Sequence, residues 1–189
     1  MIVVTGGTGL IGSELLRLLS QAGVPARALT RNPNKAQKLP SITWVVGDLA
    51  RAETLTTAFE GAKTLFLLTH YYEDMVELQL NAIAAASAAG VTHVVKVSAF
   101  AASDHSNAPI GRWHHRVEKE LQASGMGWTM LRPHHFMQNL LPKPGTSFRR
   151  ASSTRPRVTA KFLTSMHVTL PQSLLSRSPS RGISARSTR

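Results

Sequence analysis

The 189-residue chain contains no cysteine, only two tyrosines and no long apolar run. The lack of cysteine excludes disulfides and thiolate metal sites, and is typical of proteins in a reducing compartment. A membrane-spanning helix needs about 18 consecutive apolar residues, and no segment approaches that length. No basic segment precedes the apolar residues that start at Ile2. We therefore expect neither a secretory leader nor a membrane span, and a cytoplasmic location.

Acidic residues are missing from the last quarter of the chain. Residues 142–189 hold ten Lys and Arg but no Asp or Glu, so most of the formal net charge of +12 lies there. Residues 1–141 are nearly balanced, with twelve basic and ten acidic residues. A uniformly basic protein would indicate a nucleic-acid partner. Because the basic character belongs to the C-terminal segment alone, nucleic acid is not the expected partner.

Strand-like and helix-like segments alternate through residues 1–141. The predicted strands are 2–5, 24–29, 42–46, 64–68, 92–97 and 128–131. The predicted helices are 10–22, 51–60, 73–89 and 111–124, with a short one at 33–39. Such alternation, with strands apolar on both faces, is typical of a parallel sheet covered by helices on each side. We predict an α/β domain with a doubly wound parallel sheet of the Rossmann type over residues 1–141.

A glycine-rich turn follows the first strand. It consists of Gly6, Gly7, Thr8, Gly9, Leu10, Ile11 and Gly12. Gly6 and Gly9 lack the Cβ atoms that would hold a diphosphate away, and Gly12 lets the next helix pack closely on the strand. The free N–H groups at the start of that helix favour a phosphate. We predict that these seven residues bind the diphosphate of a dinucleotide; the alternative is a strand-to-helix turn whose glycines serve packing alone.

The residues after the second strand predict which dinucleotide is bound. An acidic residue there would accept hydrogen bonds from an adenosine ribose, whereas this chain has Arg31, followed by Lys35. Arg31 would pair with a 2′-phosphate, and Lys35 could join it. This favours NADP(H) over NAD(H). The alternative is an ordinary solvated arginine in a loop.

Three further strand ends complete the predicted cofactor site. Asp48 would accept the adenine amino group or cap the next helix, and the two roles are compatible. The backbone at Leu68 and Thr69 would flank the ribose and nicotinamide, and the Ser98 hydroxyl would lie at the nicotinamide. The cofactor-binding prediction is thus the glycine-rich turn with Arg31, Lys35, Asp48, Leu49, Leu68, Thr69 and Ser98.

These residues together resemble the NmrA-like family, atypical members of the short-chain dehydrogenase/reductase superfamily. The matching stretches are Val4 to Gly12, Thr30-Arg31-Asn32-Pro33, Gly47-Asp48-Leu49, Trp113 to Glu118, Thr129 to Pro133 and Phe136-Met137-Gln138-Asn139. The resemblance covers residues 1 to about 141. It implies NADP(H) binding, with either reduction of quinones or dyes or a cofactor-sensing regulatory role.

The proton donor of ordinary short-chain dehydrogenases is missing. Those enzymes pair a serine with Tyr-x-x-x-Lys, in which the tyrosine donates a proton to a carbonyl. Here the only tyrosines, Tyr71 and Tyr72, precede the fifth strand. Ser98, His114 and His115 are the candidate catalytic residues, and the alternative for the histidines is a structural or exposed role.

The missing proton donor decides which substrates we expect. Alcohol-forming carbonyl reduction is not expected, whereas a quinone or dye accepts hydride more readily because its developing anion is delocalised. We predict an NAD(P)H-dependent oxidoreductase of small quinone-like or dye acceptors; the alternative is a non-catalytic NADP(H)-sensing module that acts through a protein partner. No metal is expected, because adjacent histidines such as His114 and His115 point about 100° apart on a helix.

The periodic pattern ends at Pro142. Residues 142–189 contain ten Ser and eight Arg, too little apolar surface to offset chain entropy, so we expect disorder. Members of the family continue past this point with a substrate-covering lobe that includes an Ile-Asp-x-x-Asp-Ile-Ala stretch, which this sequence does not show. Codons for Thr164–Leu170 can nevertheless be chosen so that reading from the third base of each codon gives Ile-Asp-Ala-Arg-Asp-Ile. Our hypothesis is a frameshift near Leu141 or Pro142 that leaves the lobe missing or non-native, which sequencing the gene would test. The alternative is a basic arm for nucleic acid.

Overall fold

The computed structural model describes residues 1–134 and the backbone of residues 166–169. The strands are β1 (Ile2–Val4), β2 (Ala26–Thr30), β3 (Ile42–Val46), β4 (Thr64–Leu67), β5 (His93–Val97), β6 (Gly127–Pro133) and β7 (Met166–Thr169). The α-helices are α1 (Leu10–Gln21), α2 (Leu55–Phe59), α3 (Met75–Ala88) and α4 (Pro109–Ala123). Two 3-10 turns lie at Pro33–Lys35 and Ala52–Thr54.

The strands form one sheet in the order β3-β2-β1-β4-β5-β6-β7. The first six strands run parallel, and β7 pairs antiparallel with β6, with Leu131 opposite Val168. The strand order reverses direction between β1 and β4, which is the doubly wound, Rossmann-type arrangement predicted from the sequence. In such sheets the ligand site lies beyond the carboxyl ends of the strands at this reversal.

Hydrophobic side chains cover both faces of the sheet. On one face, α2 and α3 pack on β4 and bury Phe59, Leu65 and Leu67 completely. On the other face, Leu16 of α1 packs against Val4 and Ala28. The two layers fix the carboxyl ends of β1, β2 and β4 relative to one another, and these ends carry the predicted site.

Two predicted helices are shorter than the sequence pattern indicates. The helix predicted at 33–39 is only the 3-10 turn Pro33–Lys35, because Ala36 already has an extended backbone with ψ 123°. The helix predicted at 51–60 is divided into the 3-10 turn Ala52–Thr54 and α2. The remaining predicted helices and strands agree with the structure to within about three residues at each end.

Within residues 142–189, for which the sequence predicts disorder, Met166–Thr169 form β7. Without β7, β6 would present a row of unpaired main-chain groups at the sheet edge, and main-chain pairing there requires no particular side chain. The rest of this segment, together with His135 and the Phe136–Asn139 stretch, lies outside the described residues. Among the described helices, none combines the length and the apolar character that a membrane span requires.

Candidate active site

An open cleft lies at the carboxyl ends of β1, β2, β3 and β4. Seven of the predicted cofactor-binding residues line it, namely Gly6, Thr8, Arg31, Asp48, Leu49, Leu68 and Thr69. The lining also contains Thr5, Leu29, Thr30, Gly47, His70 and Leu78. Gly7, Gly9, Leu10, Ile11, Gly12, Lys35 and Ser98 do not line the cleft. The structure thus brings the predicted residues from four different strand ends into one depression.

Two glycines of the turn meet backbone where a side chain would stand. Gly6 has φ +65°, and a Cβ there would lie 2.8 Å from the carbonyl oxygen of Leu68. A Cβ at Gly12 would lie 2.2 Å from the carbonyl oxygen of Gly6. Gly12 therefore permits close packing of α1 on the turn, as the sequence predicts.

The start of α1, directly after the glycine-rich turn, is not capped by a side chain. Gly9 is the N-cap residue, no side chain caps the helix, and its first turn contains no acidic residue. Its first N–H groups therefore lack a side-chain acceptor, and no carboxylate opposes an incoming anion. Leu10 follows with 70% of its surface exposed. This helix start can accept a phosphate group.

Gly7 faces the packed side of the turn. A Cβ on Gly7 would lie 3.0 Å from Leu16 and 3.3 Å from the Trp44 ring. By contrast, a Cβ on Gly9 would meet only the Gly6 carbonyl oxygen, at 3.3 Å. A side chain at Gly7 would therefore press on packed neighbours, whereas Gly9 leaves space on the open side.

Arg31 and Lys35 are both exposed, but only Arg31 lines the cleft. Lys35 is the last residue of the 3-10 turn Pro33–Lys35. Asn32 caps this turn, because its Oδ1 accepts a 2.9 Å hydrogen bond from the Asn34 amide. Asp48 closes a local turn by accepting a hydrogen bond from the Ala50 amide at 3.1 Å. It does not cap α2, which begins at Leu55.

Thr5 connects the ends of β1 and β4, a role that the sequence does not reveal. Its hydroxyl donates to the carbonyl of Leu68 at 2.8 Å and accepts from the Leu68 amide at 2.9 Å. On the next residue, the Thr69 hydroxyl accepts a 2.7 Å hydrogen bond from Nε2 of Gln79 on α3. These bonds fix the cleft wall that Leu68 and Thr69 form.

A buried ionic network lies behind Ser98. Its hydroxyl donates a 2.6 Å hydrogen bond to Oε1 of Glu118, which is 1% exposed. Arg132 binds the same carboxylate with Nε at 3.0 Å and Nη2 at 2.6 Å, and this hydrogen bonding raises the arginine pKa. The Ser98 proton is thereby engaged, and the hydroxyl oxygen retains only its acceptor capacity.

His114 does not fit the role of proton donor. Its Nδ1 lies 2.8 Å from Nζ of Lys96, and both side chains are buried. Burial first, and then the Lys96 charge, lower the His114 pKa to about 3. A neutral imidazole that accepts a hydrogen bond from a lysine has no ready proton for a substrate at neutral pH.

His115 points to a different, more exposed surface. Its Nε2 lies 3.3 Å from Oδ2 of Asp104, and the same oxygen accepts a 2.7 Å hydrogen bond from Lys119. His114 and His115 thus diverge on α4, as adjacent helical residues must. Of the three catalytic candidates, Ser98 and His114 belong to the buried network. His115 lies between the network and the surface, because its buried Nδ1, which has no hydrogen-bond partner within the described part of the chain, lies 3.9 Å from Oε2 of Glu118.

Comparisons with known proteins agree with this geometry. Residues 6–164 match a family of proteins described as NAD(P)H-binding, which extends past residue 141, the end of the predicted domain. The chain is 42% identical over 143 residues to an NAD(P)H azoreductase of Xenophilus azovorans, covering 75% of this chain and 50% of that protein. The chain spans about half the length of the curated relatives it matches.

Two solved structures with bound cofactor have the same fold over this region. The NADPH-dependent quinone oxidoreductase of Escherichia coli, complexed with NADPH, is 33% identical with a TM-score of 0.67, covering 74% of this chain and 50% of that one. The Citrobacter triphenylmethane reductase, complexed with NADP(H), is 28% identical with a TM-score of 0.67, covering 74% and 51%. Together with the Rossmann-type sheet and its glycine-rich cleft, these matches confirm the resemblance found in the sequence: the chain belongs to the NAD(P)H-binding family.

Proposed function

We propose that this chain binds NADP(H) and transfers hydride to quinone-like or dye acceptors. The observation that carries the proposal is the cleft at the reversal of strand order, which is lined by Gly6 and Thr8 of the turn that leads into the uncapped start of α1, and by Arg31. A dinucleotide placed there meets N–H donors at its diphosphate and a guanidinium at its adenosine ribose.

The preference for NADP(H) rests on Arg31. Its side chain lines the cleft directly after β2, where a carboxylate would favour the ribose hydroxyls of NAD(H). A guanidinium instead pairs with a 2′-phosphate through charge-assisted hydrogen bonds. Lys35 is exposed on the following 3-10 turn and adds positive charge on the same side.

The nicotinamide half would lie toward β4 and β5, because these strands are on the opposite side of β1 from Arg31. The Ser98 oxygen, held by Glu118, can accept a hydrogen bond from a carboxamide N–H. When bound, the cofactor supplies the hydride. The protein residues would position the two reactants.

The chemistry of the site favours acceptors that need no protein acid. In quinone reduction one hydride and one proton are added, giving the hydroquinone and NADP⁺, and water can supply the proton because the anion is delocalised. The named activities of similar proteins, azoreductase, quinone oxidoreductase and triphenylmethane reductase, support aromatic acceptors.

The test has two separate measurements on the full chain. Calorimetry with NADPH measures cofactor binding, and the loss of NADPH absorbance with menadione measures turnover. We expect binding, and turnover above the rate without protein. No heat with NADPH would overturn the proposal entirely. Binding without turnover for menadione or any dye would instead support the alternative, a cofactor-sensing module that acts through a protein partner.

A further inference from the structure

Two amide side chains of α3 bind the loops that follow β3 and β4. Nδ2 of Asn81 donates a 2.9 Å hydrogen bond to the Leu49 carbonyl, and Nε2 of Gln79 donates a 2.7 Å hydrogen bond to the Thr69 hydroxyl. Leu49 and Thr69 both line the cleft, and so does Leu78 of α3 itself. One turn of α3 is therefore bonded to two walls of the cleft and supplies a third lining residue.

The two loops start from strands that are not neighbours. Because β2 and β1 stand between them, β3 and β4 are three strand spacings apart in the sheet, which amounts to about 14 Å. Each loop nevertheless reaches the same turn of α3. The separation of Leu49 from Thr69 is therefore set by the helix as well as by the sheet, and loss of either amide bond releases one wall.

Gln79 destabilises the folded chain at its position. It is only 1% exposed, and its Oε1 is buried with no hydrogen-bond partner among the described residues. The Thr69 hydroxyl cannot supply one, because its single proton is donated to the His70 carbonyl at 3.1 Å. A buried acceptor without a partner lowers stability, and a leucine of similar size would avoid this loss. Stability of the fold alone therefore does not account for a glutamine here.

The space between these walls suits the adenosine half of the proposed cofactor. With the 2′-phosphate at Arg31, which follows β2, the adenosine lies on the β2 and β3 side of the cleft. The lining there includes the apolar side chains of Leu29, Leu49 and Leu78, and apolar side chains accommodate the flat face of a base. Thr69 bounds this space on the β4 side, so the distance from Thr69 to Leu49 decides whether a base fits.

We propose that Gln79 and Asn81 are positioning residues for the adenosine half of the cofactor, because they hold the Thr69 and Leu49 walls at the separation that the adenine ring requires. This inference rests on the proposed function. Gln79 lowers the stability of the protein and raises its affinity for the nucleotide, since a wall that is fixed before binding loses less entropy when the ligand arrives.

The test measures, by calorimetry on the full chain, the binding of NADPH and of adenosine 2′,5′-bisphosphate, which carries the adenosine half alone. We expect Gln79→Leu to weaken both ligands by the same factor, about five- to tenfold, because both depend on the same wall. Asn81→Ala should also weaken both ligands equally. Urea unfolding should show Gln79→Leu to be at least as stable as the wild type, since the unpartnered carbonyl is gone. Gln122→Leu makes the same change at an exposed position of α4 and should leave both affinities unchanged.

Two substitutions of Thr69 test whether Gln79 acts through its hydroxyl. Thr69→Val breaks the same hydrogen bond from the loop and should weaken both ligands about as much as Gln79→Leu. Thr69→Ser keeps the hydroxyl and should stay within about twofold of the wild type. Because the two side chains act as one unit, the double variant Gln79→Leu, Thr69→Val should bind both ligands no more weakly than either single variant.

Equal affinities in the wild type and Gln79→Leu would overturn the inference. A loss for NADPH without a matching loss for the bisphosphate would also overturn it, because the walls would then serve the nicotinamide half. Additive losses in the double variant would show that Gln79 does not act through Thr69, and a marked loss of stability in Gln79→Leu would show that the glutamine holds the fold; either result overturns the inference. A wild type that binds neither ligand would contradict the proposed function, whereas tight NADPH binding that none of these variants changes would contradict this inference alone.

Discussion

Nζ of Lys96 lies 2.8 Å from Nδ1 of His114, so a lysine in the centre of the sheet is bound to a histidine of the helix that covers it. Two residues later, just after the end of β5, Ser98 binds Glu118, which lies one turn after His114 on α4. The face of β5 that packs on α4 is thus polar at its carboxyl end. These contacts align α4 with the end of β5, where the nicotinamide is proposed to lie.

The Lys96 amine makes folding stability depend on pH. Burial lowers its pKa from 10.5 to about 7, so between these values the unfolded chain binds more protons than the folded one. Stability from this group therefore falls as the pH decreases from 10.5 to 7, by on the order of 4 kcal/mol in total. Urea unfolding of the wild type and Lys96→Met across this range measures the effect.

The methionine variant should gain stability relative to wild type as the pH decreases toward 7, because it carries no charge to bury. Lys63→Met changes an exposed lysine and should give a difference that does not vary with pH. Parallel stability curves for the wild type and the Lys96 variant would show that the amine is not desolvated.

The Glu118 carboxylate should be essential to stability in a way that a surface carboxylate is not. Removing it leaves Arg132 and Ser98 without their acceptor, and breaking a buried ion pair costs about 3 kcal/mol or more. Glu118→Ala should therefore lower the unfolding free energy by about that amount. Glu14→Ala breaks an ion pair with Arg17 that is more than one-third exposed, and should lower the unfolding free energy far less. Similar losses in the two variants would contradict the network.

The fold was predictable because its signals are local. Alternating apolar runs and the glycines from Gly6 to Gly12 identify the strands, the helices and the first turn without knowledge of any distant contact. The sites of Arg31 and Asp48 follow once the strand order is assumed, because parallel strands end at one edge.

The buried network was not predictable from such signals. Lys96 and Ser98 are two residues apart at the end of β5, and His114 and Glu118 are four residues apart on α4. Neither spacing indicates that β5 and α4 pack against each other. The contact of Glu118 with Arg132 depends on tertiary packing. The four-residue strand β7 was missed because edge pairing uses main-chain groups, which side-chain composition does not report.

Replacing Arg31 with alanine should change the cofactor preference. A charge-assisted hydrogen bond contributes about 1.5 to 3 kcal/mol, so NADPH affinity should fall about ten- to a hundredfold. NADH has no 2′-phosphate and should bind equally well to the variant and the wild type. Calorimetry with both nucleotides measures the ratio of the NADPH affinity to the NADH affinity. Lys35→Ala, which changes a residue outside the cleft lining, should have a smaller effect; an unchanged ratio in Arg31→Ala would contradict the NADP(H) assignment.

Two glycines of the same turn should respond differently to alanine. A Cβ at Gly12 would lie 2.2 Å from the Gly6 carbonyl oxygen and 2.7 Å from its carbon, so α1 must shift away from the turn. A Cβ at Gly9 meets one atom at 3.3 Å, which needs only a small adjustment. Gly12→Ala should therefore lower the unfolding free energy by about 2 kcal/mol relative to Gly9→Ala.

Gly9→Ala should fold normally but bind NADPH more weakly, because its Cβ would stand on the open side where the diphosphate approaches. Gly9 is the N-cap, where glycine is preferred to alanine, whereas Gly12 lies within α1, where alanine is preferred. Intrinsic preference alone would therefore make the Gly12 variant the more stable one, so a lower stability of that variant reports the clash. Urea unfolding separates the two proteins by stability, and calorimetry with NADPH separates them by binding. If Gly9→Ala binds NADPH as tightly as the wild type, the diphosphate does not approach the turn at this position.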